Sequence, residues 1–310
     1  MAILIYHKEI YVRNWVKALK GADETLDICI YPETGDVEGI TFGITAAGYP
    51  EGLWNRFPRL KALSSIGAGV SHILEDATLP PDLPVLKLVD KRLNQSMWEY
   101  ILATVTYCSK HLHRYQIQQR ESVWKELRPN SFDRTTVGVL GLGSIGSFVA
   151  QHLARLGFVV KGFANSHREI EGVEVWKLSE ASDEIMASVD IWISILPLTP
   201  QTENIFDRRF FSRLKEGAVL INVGRGHQVV DDDLIDALDC GQLSYAYLDV
   251  FREEPLPESH PFWRHPQISI TPHIASITSP RSVAGQIVNN YYHALAGEPL
   301  DNEVDRELGY

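Results

Sequence analysis

Short apolar runs alternate with stretches of helical periodicity along the whole chain. In the first part, Ala2–Tyr6, Leu26–Ile30, Ile40–Thr45, Leu60–Ile66 and Val85–Val89 are predicted strands, and Tyr11–Lys20 and Val70–Leu74 are predicted helices. Strands that are apolar on both faces and separated by helices belong to parallel sheets covered on both sides. Pro80, Pro81 and Pro84 mark a surface crossing. One continuous helix is predicted from Ser96 to Arg120, with Met97, Ile101, Leu102, Val105 and Leu112 among its apolar positions, and Arg128-Pro129-Asn130 breaks it. A second alternating series follows. Val137–Leu140, Phe158–Ala164, Ile191–Leu196, Val219–Val223, Tyr245–Val250 and Ile268–Thr271 read as strands, and Ser144–Leu156, Arg208–Leu214 and Asp231–Leu238 as helices. Gly241 fits a helix stop. A last helix, Pro280–Leu295, has no strand after it and is expected to return to the first series. The fold class is therefore α/β, with two doubly wound parallel-sheet domains. One domain is discontinuous, 1–96 with 280–310, and the other, 97–279, is inserted into it.

Length agrees, since 310 residues exceed what one compact core usually holds. The net charge of −11 argues against a nucleic-acid partner, because phosphate binding needs a basic surface. Any anionic ligand must then be met by a few local cationic groups. Cys29, Cys108 and Cys240 lie far apart, with no CxxC spacing, so neither a disulfide scaffold nor a zinc site is expected, and no metal. No stretch reaches the roughly 18 apolar residues of a membrane span. The apolar start is at once followed by His7, Lys8 and Glu9, unlike a signal peptide, so a cytoplasmic location and no membrane partner are expected.

The inserted domain opens with its most informative motif. Val137–Leu140 runs into Gly141-Leu142-Gly143-Ser144-Ile145-Gly146 and then a helix. Gly141 permits a tight turn, Gly143 leaves room for a pyrophosphate, and Gly146 allows close packing, while the helix start offers N–H groups to phosphate. This is a Rossmann-type dinucleotide site. At the end of the next strand an NAD site usually carries Asp or Glu for the ribose hydroxyls. Here the residues are Asn165, Ser166, His167 and Arg168, and the first carboxylate is Glu169. Hydrogen-bond donors with an Arg suit a 2′-phosphate, so NADPH is the expected cofactor, with NADH possible.

Three polar segments end later strands: Asn222–Gly226, Leu248–Pro255 and Thr271–Ser276. Together they suit reduction of a 2-oxo acid. Arg225 can fix the carboxylate and polarise the ketone. Glycine on both sides of Arg225 suggests close ligand approach. His273 can donate a proton near neutral pH, helped by a carboxylate on its other ring nitrogen. Glu253 and Glu254 both qualify as that carboxylate. His111 and His113 stand two apart on the expected helix and read as surface or structural. Asp231-Asp232-Asp233 is explained by helix capping and dipole compensation. Trp54, Trp124 and Trp263 read as packing residues.

With these segments in place, essentially the whole chain resembles the D-isomer-specific 2-hydroxyacid dehydrogenase family, most closely the branch that acts on glyoxylate and hydroxypyruvate. The resemblance implies a Rossmann-type cofactor domain inserted into a flavodoxin-like substrate domain. It implies Arg225 as substrate-binding, His273 as acid/base and Glu254, through its Glu-Pro alignment, as the histidine's partner. It further implies that Asp249 accepts from the nicotinamide carboxamide, that Leu196 and Pro197 line the cofactor groove with Val223 and Ala275 nearby, and that Ala68 and Gly69 offer N–H groups to the substrate carboxylate. Consecutive N–H groups at a helix start form an anion nest, which fits independently. Asn165 and His167 depart from the Arg-rich pattern usual for NADPH users. The family implies a homodimer, with 96–120 as its contact. Two other readings stand beside this one: a reductase of a bulkier 2-oxo acid, and a nicotinamide-sensing binding protein without turnover.

Overall fold

The computed structural model describes residues 1–310 apart from His167 and Tyr310, and leaves the Glu9 side chain undescribed. The chain forms two compact units, Met1–Leu93 with Ile277–Tyr310, and Asn94–Ser276.

The first unit contains β1 (Ala2–Tyr6), α1 (Glu9–Ala22), β2 (Ile28–Ile30), β3 (Ile40–Thr45), β4 (Ala62–Ser65), α2 (Ser71–Leu74) and β5 (Val85–Leu86). Its sheet has the order β2-β1-β3-β4-β5, and all pairings are parallel. Alternation along the strands feeds two cores. Ile3, Ile5, Phe42 and Ile44 meet Val12, Trp15 and Leu19 of α1, while Leu4, Ile40 and Leu63 meet Trp54, Phe57 and Ile73. All six residues of β3 are buried, as a strand covered on both faces requires.

The unit boundary falls inside α3 (Lys91–Ser109). The expected single helix over 96–120 is two: α3 ends at Ser109 and α4 runs Leu112–Arg120. His111 sits between them with φ 56, a left-handed backbone that no continuous helix contains. His111 therefore precedes α4, and only His113 lies on a helix, buried against Tyr245. Leu112, which is exposed, carried the apolar pattern across the break, and the left-handed residue left no mark in it.

The second unit continues with β6 (Thr136–Leu140), α5 (Ser144–Arg155), β7 (Val159–Phe163), β8 (Val173–Trp176), α6 (Asp183–Ala187), β9 (Ile191–Ser194), α7 (Arg208–Ser212), β10 (Ala218–Asn222), α8 (Asp231–Asp239), β11 (Leu243–Leu248) and β12 (Ile268–Ile270). The sheet order is β12-β11-β10-β9-β6-β7-β8, parallel throughout. Val139, Ile193, Ile221 and Tyr247 face one core, Leu140, Trp192, Leu220 and Leu248 the other. The order reverses between β6 and β9, which is where doubly wound sheets bind ligands. Strand β8 and helix α6 were not expected. Each is five residues or shorter, too short for periodicity to show. Gly241 follows α8 with φ 82, the expected left-handed stop. Helix α9 (Pro280–Ala296) belongs to the first unit, where Val283, Ile287 and Tyr291 join its core. Among the described residues, no helix is long and apolar enough to cross a membrane.

Candidate active site

Every loop of interest in the second unit leaves the carboxyl end of a strand. After β6 the chain turns at Gly141, whose φ of 92 is left-handed. A side chain there would also press on the Ile195 carbonyl, 2.9 Å from the Cβ position. At Gly146 a Cβ would lie 1.8 Å from the Gly141 carbonyl oxygen, so the first turn of α5 folds directly onto the loop. Gly143 differs: nothing lies within 4 Å of its Cβ position. It is the N-cap of α5 and makes no side-chain cap, so the first-turn N–H groups stay open to an anion. Ser144 and Ile145 continue that turn, and the Leu142 side chain is buried against Gly162, leaving only its backbone for a ligand. These residues fit a dinucleotide pyrophosphate.

Asn165, Ser166 and Arg168 are exposed on the loop that follows β7. His167 lies outside the described residues. Leu196 and Pro197 follow β9 and are half-buried, and Val223 and Ala275 are buried where the chain leaves β10 and β12.

The loop after β10 carries Arg225. Asn222 holds it from below: its Oδ1 accepts from Gly224 N–H at 3.0 Å and its Nδ2 donates to the Arg225 carbonyl at 3.0 Å. The guanidinium donates through Nη1 to the Gly224 carbonyl at 2.7 Å. The flanking glycines do not make room for a ligand as expected. A Cβ on Gly226 would lie 1.9 Å from the Phe251 carbonyl carbon, and one on Gly224 would lie 2.8 Å from the Leu196 carbonyl oxygen. Neighbouring protein backbone fills the space. Arg252 fastens the same two loops, donating from Nε to the Val229 carbonyl at 2.8 Å and from Nη2 to the His227 carbonyl at 3.3 Å.

Glu254 is the carboxylate that reaches the histidine. Its Oε2 lies 2.8 Å from His273 Nδ1, and its Oε1 accepts from Phe251 N–H at 2.9 Å. A carboxylate only accepts, so Nδ1 carries the hydrogen and Nε2 is left for chemistry. Burial alone would raise the Glu254 pKa. The bond to His273, the charge of His273, the Phe251 N–H and the charge of Arg225 outweigh burial and hold the carboxyl below its ordinary value. Arg225 and His273 thus both act on the one carboxylate.

His273 has φ 56, a backbone conformation that L side chains seldom adopt. Asp249 holds it there. The Asp249 carbonyl accepts from His273 N–H at 2.8 Å, Oδ1 accepts from Ile274 N–H at 2.9 Å and from the Thr271 hydroxyl at 2.5 Å, and Oδ2 accepts from Ala275 N–H at 2.8 Å. Asp249 is 1% exposed, so these bonds are what make its burial tolerable. One acceptor direction, on Oδ2, remains for a ligand. The Tyr100 hydroxyl of α3 bonds Thr271 at 2.8 Å and extends the support.

In the first unit, Ser65 Oγ accepts from Gly67 N–H at 3.2 Å and donates to the Gly69 carbonyl at 2.8 Å. Among the described residues, Ala68 and Gly69 N–H make no hydrogen bond. Asp231, Asp232 and Asp233 occupy the first turn of α8, where the dipole favours them, but none caps it; the N-cap is Val230. Asp233 instead accepts from the Arg208 N–H, and Asp231 pairs with His260. Trp54 is 1% exposed and packs, whereas Trp124 is 97% exposed.

Residues 102–275 match the family model of the D-isomer specific 2-hydroxyacid dehydrogenase, NAD binding domain. The chain belongs to this family. Along its full length this dehydrogenase is 38% identical to the glyoxylate/hydroxypyruvate reductase A of Serratia proteamaculans, with all of both chains covered. Among solved structures, a D-isomer specific 2-hydroxyacid dehydrogenase of Xanthobacter autotrophicus in complex with NADPH and MES is 36% identical, with a TM-score of 0.92 over 100% of this chain and 99% of the other. An NADPH-dependent glyoxylate/hydroxypyruvate reductase of Sinorhizobium meliloti, in complex with NADP and sulfate, is 31% identical, with a TM-score of 0.91 over all of both chains. Sequence reasoning on this dehydrogenase missed Gln228, Ser194, Tyr100 and Arg252 as supports of the site. An amide inside the otherwise apolar Gln228-Val229-Val230 was the one available signal.

Proposed function

We propose that this dehydrogenase reduces glyoxylate and hydroxypyruvate to the corresponding 2-hydroxy acids, with NADPH as the preferred hydride donor and NADH as the weaker one. The observation that carries the reading is the 2.8 Å His273–Glu254 pair with the Arg225 charge acting on the same carboxylate. When bound, the reduced nicotinamide supplies a hydride to the keto carbon. Arg225 pairs with the substrate carboxylate and polarises the ketone oxygen. Ala68 and Gly69 N–H groups are assigned to the carboxylate on their open donors. As the carbonyl becomes an alkoxide, His273 gives it the Nε2 proton, and Glu254 stabilises the imidazolium that must be present beforehand. Asp249 keeps the histidine backbone in its left-handed turn and offers its remaining Oδ2 direction to the carboxamide.

The cofactor is held by Gly141, Leu142, Gly143, Ser144, Ile145 and Gly146 at its pyrophosphate. Leu196, Pro197, Val223 and Ala275 line its groove, and Asn165, Ser166 and Arg168 meet the ribose and its 2′-phosphate. The open Gly143 position and the uncapped start of α5 support this. The solved relatives hold NADPH or NADP. The experiment is a kinetic matrix of glyoxylate, hydroxypyruvate and bulkier 2-oxo acids against both reduced cofactors. Fast turnover of the two small acids with NADPH is expected. A strong NADH preference rejects the cofactor assignment, better turnover of a bulky acid rejects the substrate assignment, and binding without turnover favours a sensor.

The assembly proposed is a homodimer. Leu112, at the start of α4, and Val123 and Trp124, just after its end, are exposed apolar residues. Sedimentation at micromolar concentration should give twice the 34.9 kDa chain mass; a monomer there rejects the dimer.

A further inference from the structure

Gln228 is 0% exposed, and every hydrogen-bonding position of its amide is occupied. Oε1 accepts from the Ser194 hydroxyl at 2.9 Å and from Arg225 N–H at 3.3 Å. Nε2 donates to the Leu196 carbonyl at 3.0 Å and to the Pro197 carbonyl at 3.1 Å. One side chain thus joins the loop after β9 to the loop after β10. Gly224 makes this possible, because a Cβ there would stand 2.8 Å from Gln228 Oε1. The Gln228 backbone donates its N–H to the Arg225 carbonyl at 3.3 Å, and its carbonyl accepts from Phe206 N–H at 2.9 Å. The link to the loop after β9 is made by the side chain.

We propose that Gln228 is a positioning residue that fixes the cofactor groove at Leu196–Pro197 and the substrate guanidinium of Arg225 in one register, so that both ligands are bound through it. This rests on the reading above of those two loops. An apolar side chain of equal length would fill the same volume, but would remove the amide partner of the Leu196 carbonyl, the Ser194 hydroxyl and the Arg225 N–H, while the Pro197 carbonyl keeps the Thr202 hydroxyl. Glutamate is the sharper change. It keeps acceptors for Ser194 and Arg225 but turns an oxygen toward the Leu196 and Pro197 carbonyls, so it breaks only the cofactor side directly.

The test measures the Kd of NADP+ by fluorescence and the KM of glyoxylate for the wild type, Gln228→Glu and Arg225→Ala. For Gln228→Glu, both constants should rise about tenfold or more, since small misplacements of binding groups are costly. The rise in glyoxylate KM is the decisive part, because the contacts to Arg225 are retained. A variant that loses only thermal stability, or that raises only the NADP+ constant, overturns the proposal. Arg225→Ala should raise the glyoxylate KM with NADP+ binding nearly intact. If Arg225→Ala is kinetically normal, the reading of the site itself fails. If it is impaired while Gln228→Glu binds both ligands normally, only the present inference fails. Should Gln228→Glu not fold, Gln228→Met carries the same expectation. Hydrogen exchange on the wild type gives a check free of mutation: NADP+ alone must slow the Arg225 amide, and an unchanged rate overturns the coupling.

Discussion

Two glycine-rich loops leave the same sheet of this dehydrogenase, and they use glycine for different ends. In the loop after β6, Gly143 has open space where a side chain would stand, directly before the uncapped N-terminus of α5. In the loop after β10, the spaces beside Gly224 and Gly226 are taken by Gln228, Leu196 and Phe251. The first loop omits a side chain and leaves the position open. The second omits two so that protein can close on protein and hold Arg225 still. The G-x-G spacing is the same in both, so the motif alone does not say which use is made; what occupies the vacant Cβ position does.

The comparison is sharpened first by the chemistry it serves. His273→Ala should lower kcat by roughly 10²–10⁴-fold, the usual worth of a positioned general acid, with NADP+ affinity nearly unchanged. A kcat within about threefold of wild type would remove His273 from the mechanism. The two glycine loops are then separated by a matched pair of alanines. Gly226→Ala drives a Cβ into the Phe251 backbone and should cost about 3 kcal/mol or more in stability, seen as a lower denaturation midpoint. Gly143→Ala has an ordinary φ of −69 and no steric neighbour, so stability should stay within about 0.5–1 kcal/mol while NADP+ binding weakens. If Gly143→Ala lost stability and kept affinity, the distinction between the loops would collapse.

A smaller effect is expected at the cofactor's far end. Arg168→Ala should cut the NADPH over NADH preference by about tenfold through loss of one charge-assisted contact, as read in kcat/KM for each cofactor. An unchanged ratio would mean that the exposed loop after β7 does not meet the 2′-phosphate. The smallest concerns Glu254. Its folded pKa is depressed, so its contribution to stability is full above the ordinary carboxylate value and is lost as pH falls through the lowered folded value. Melting temperature measured from pH 7 into the acid range should fall less steeply in Glu254→Gln than in the wild type. The difference should be worth about 1 kcal/mol at most, because the pair is partly exposed. A steeper fall in the variant would contradict the sign.

Most of the architecture was legible along the chain. Parallel strands buried on both faces leave continuous apolar runs, and those runs located eleven of the strands, with ends displaced by up to three residues. What escaped were short elements and reversals. Val173–Trp176 sits at the sheet edge and is only partly buried, so no full apolar run marks it. The break at His111 depends on one residue's backbone angle, which side-chain periodicity does not record. At the site, spacing left Glu253 and Glu254 both open, and the Glu-Pro resemblance selected Glu254. The geometry puts Glu254 on the ring.

By itself the sequence determined the two-sheet α/β plan, the glycine turn between β6 and α5, and the presence of a guanidinium, an imidazole and a carboxylate at strand ends of one sheet. Those follow from local periodicity and from spacings within a single strand-turn-helix unit. Only the tertiary structure decided that Asp249 supports the histidine's left-handed turn, that the glycines beside Arg225 admit protein, and that Gln228 joins two loops. Each of these is a meeting of side chains and backbone from different strand ends, and parallel crossovers bring together residues whose separation along the chain carries no trace of the contact.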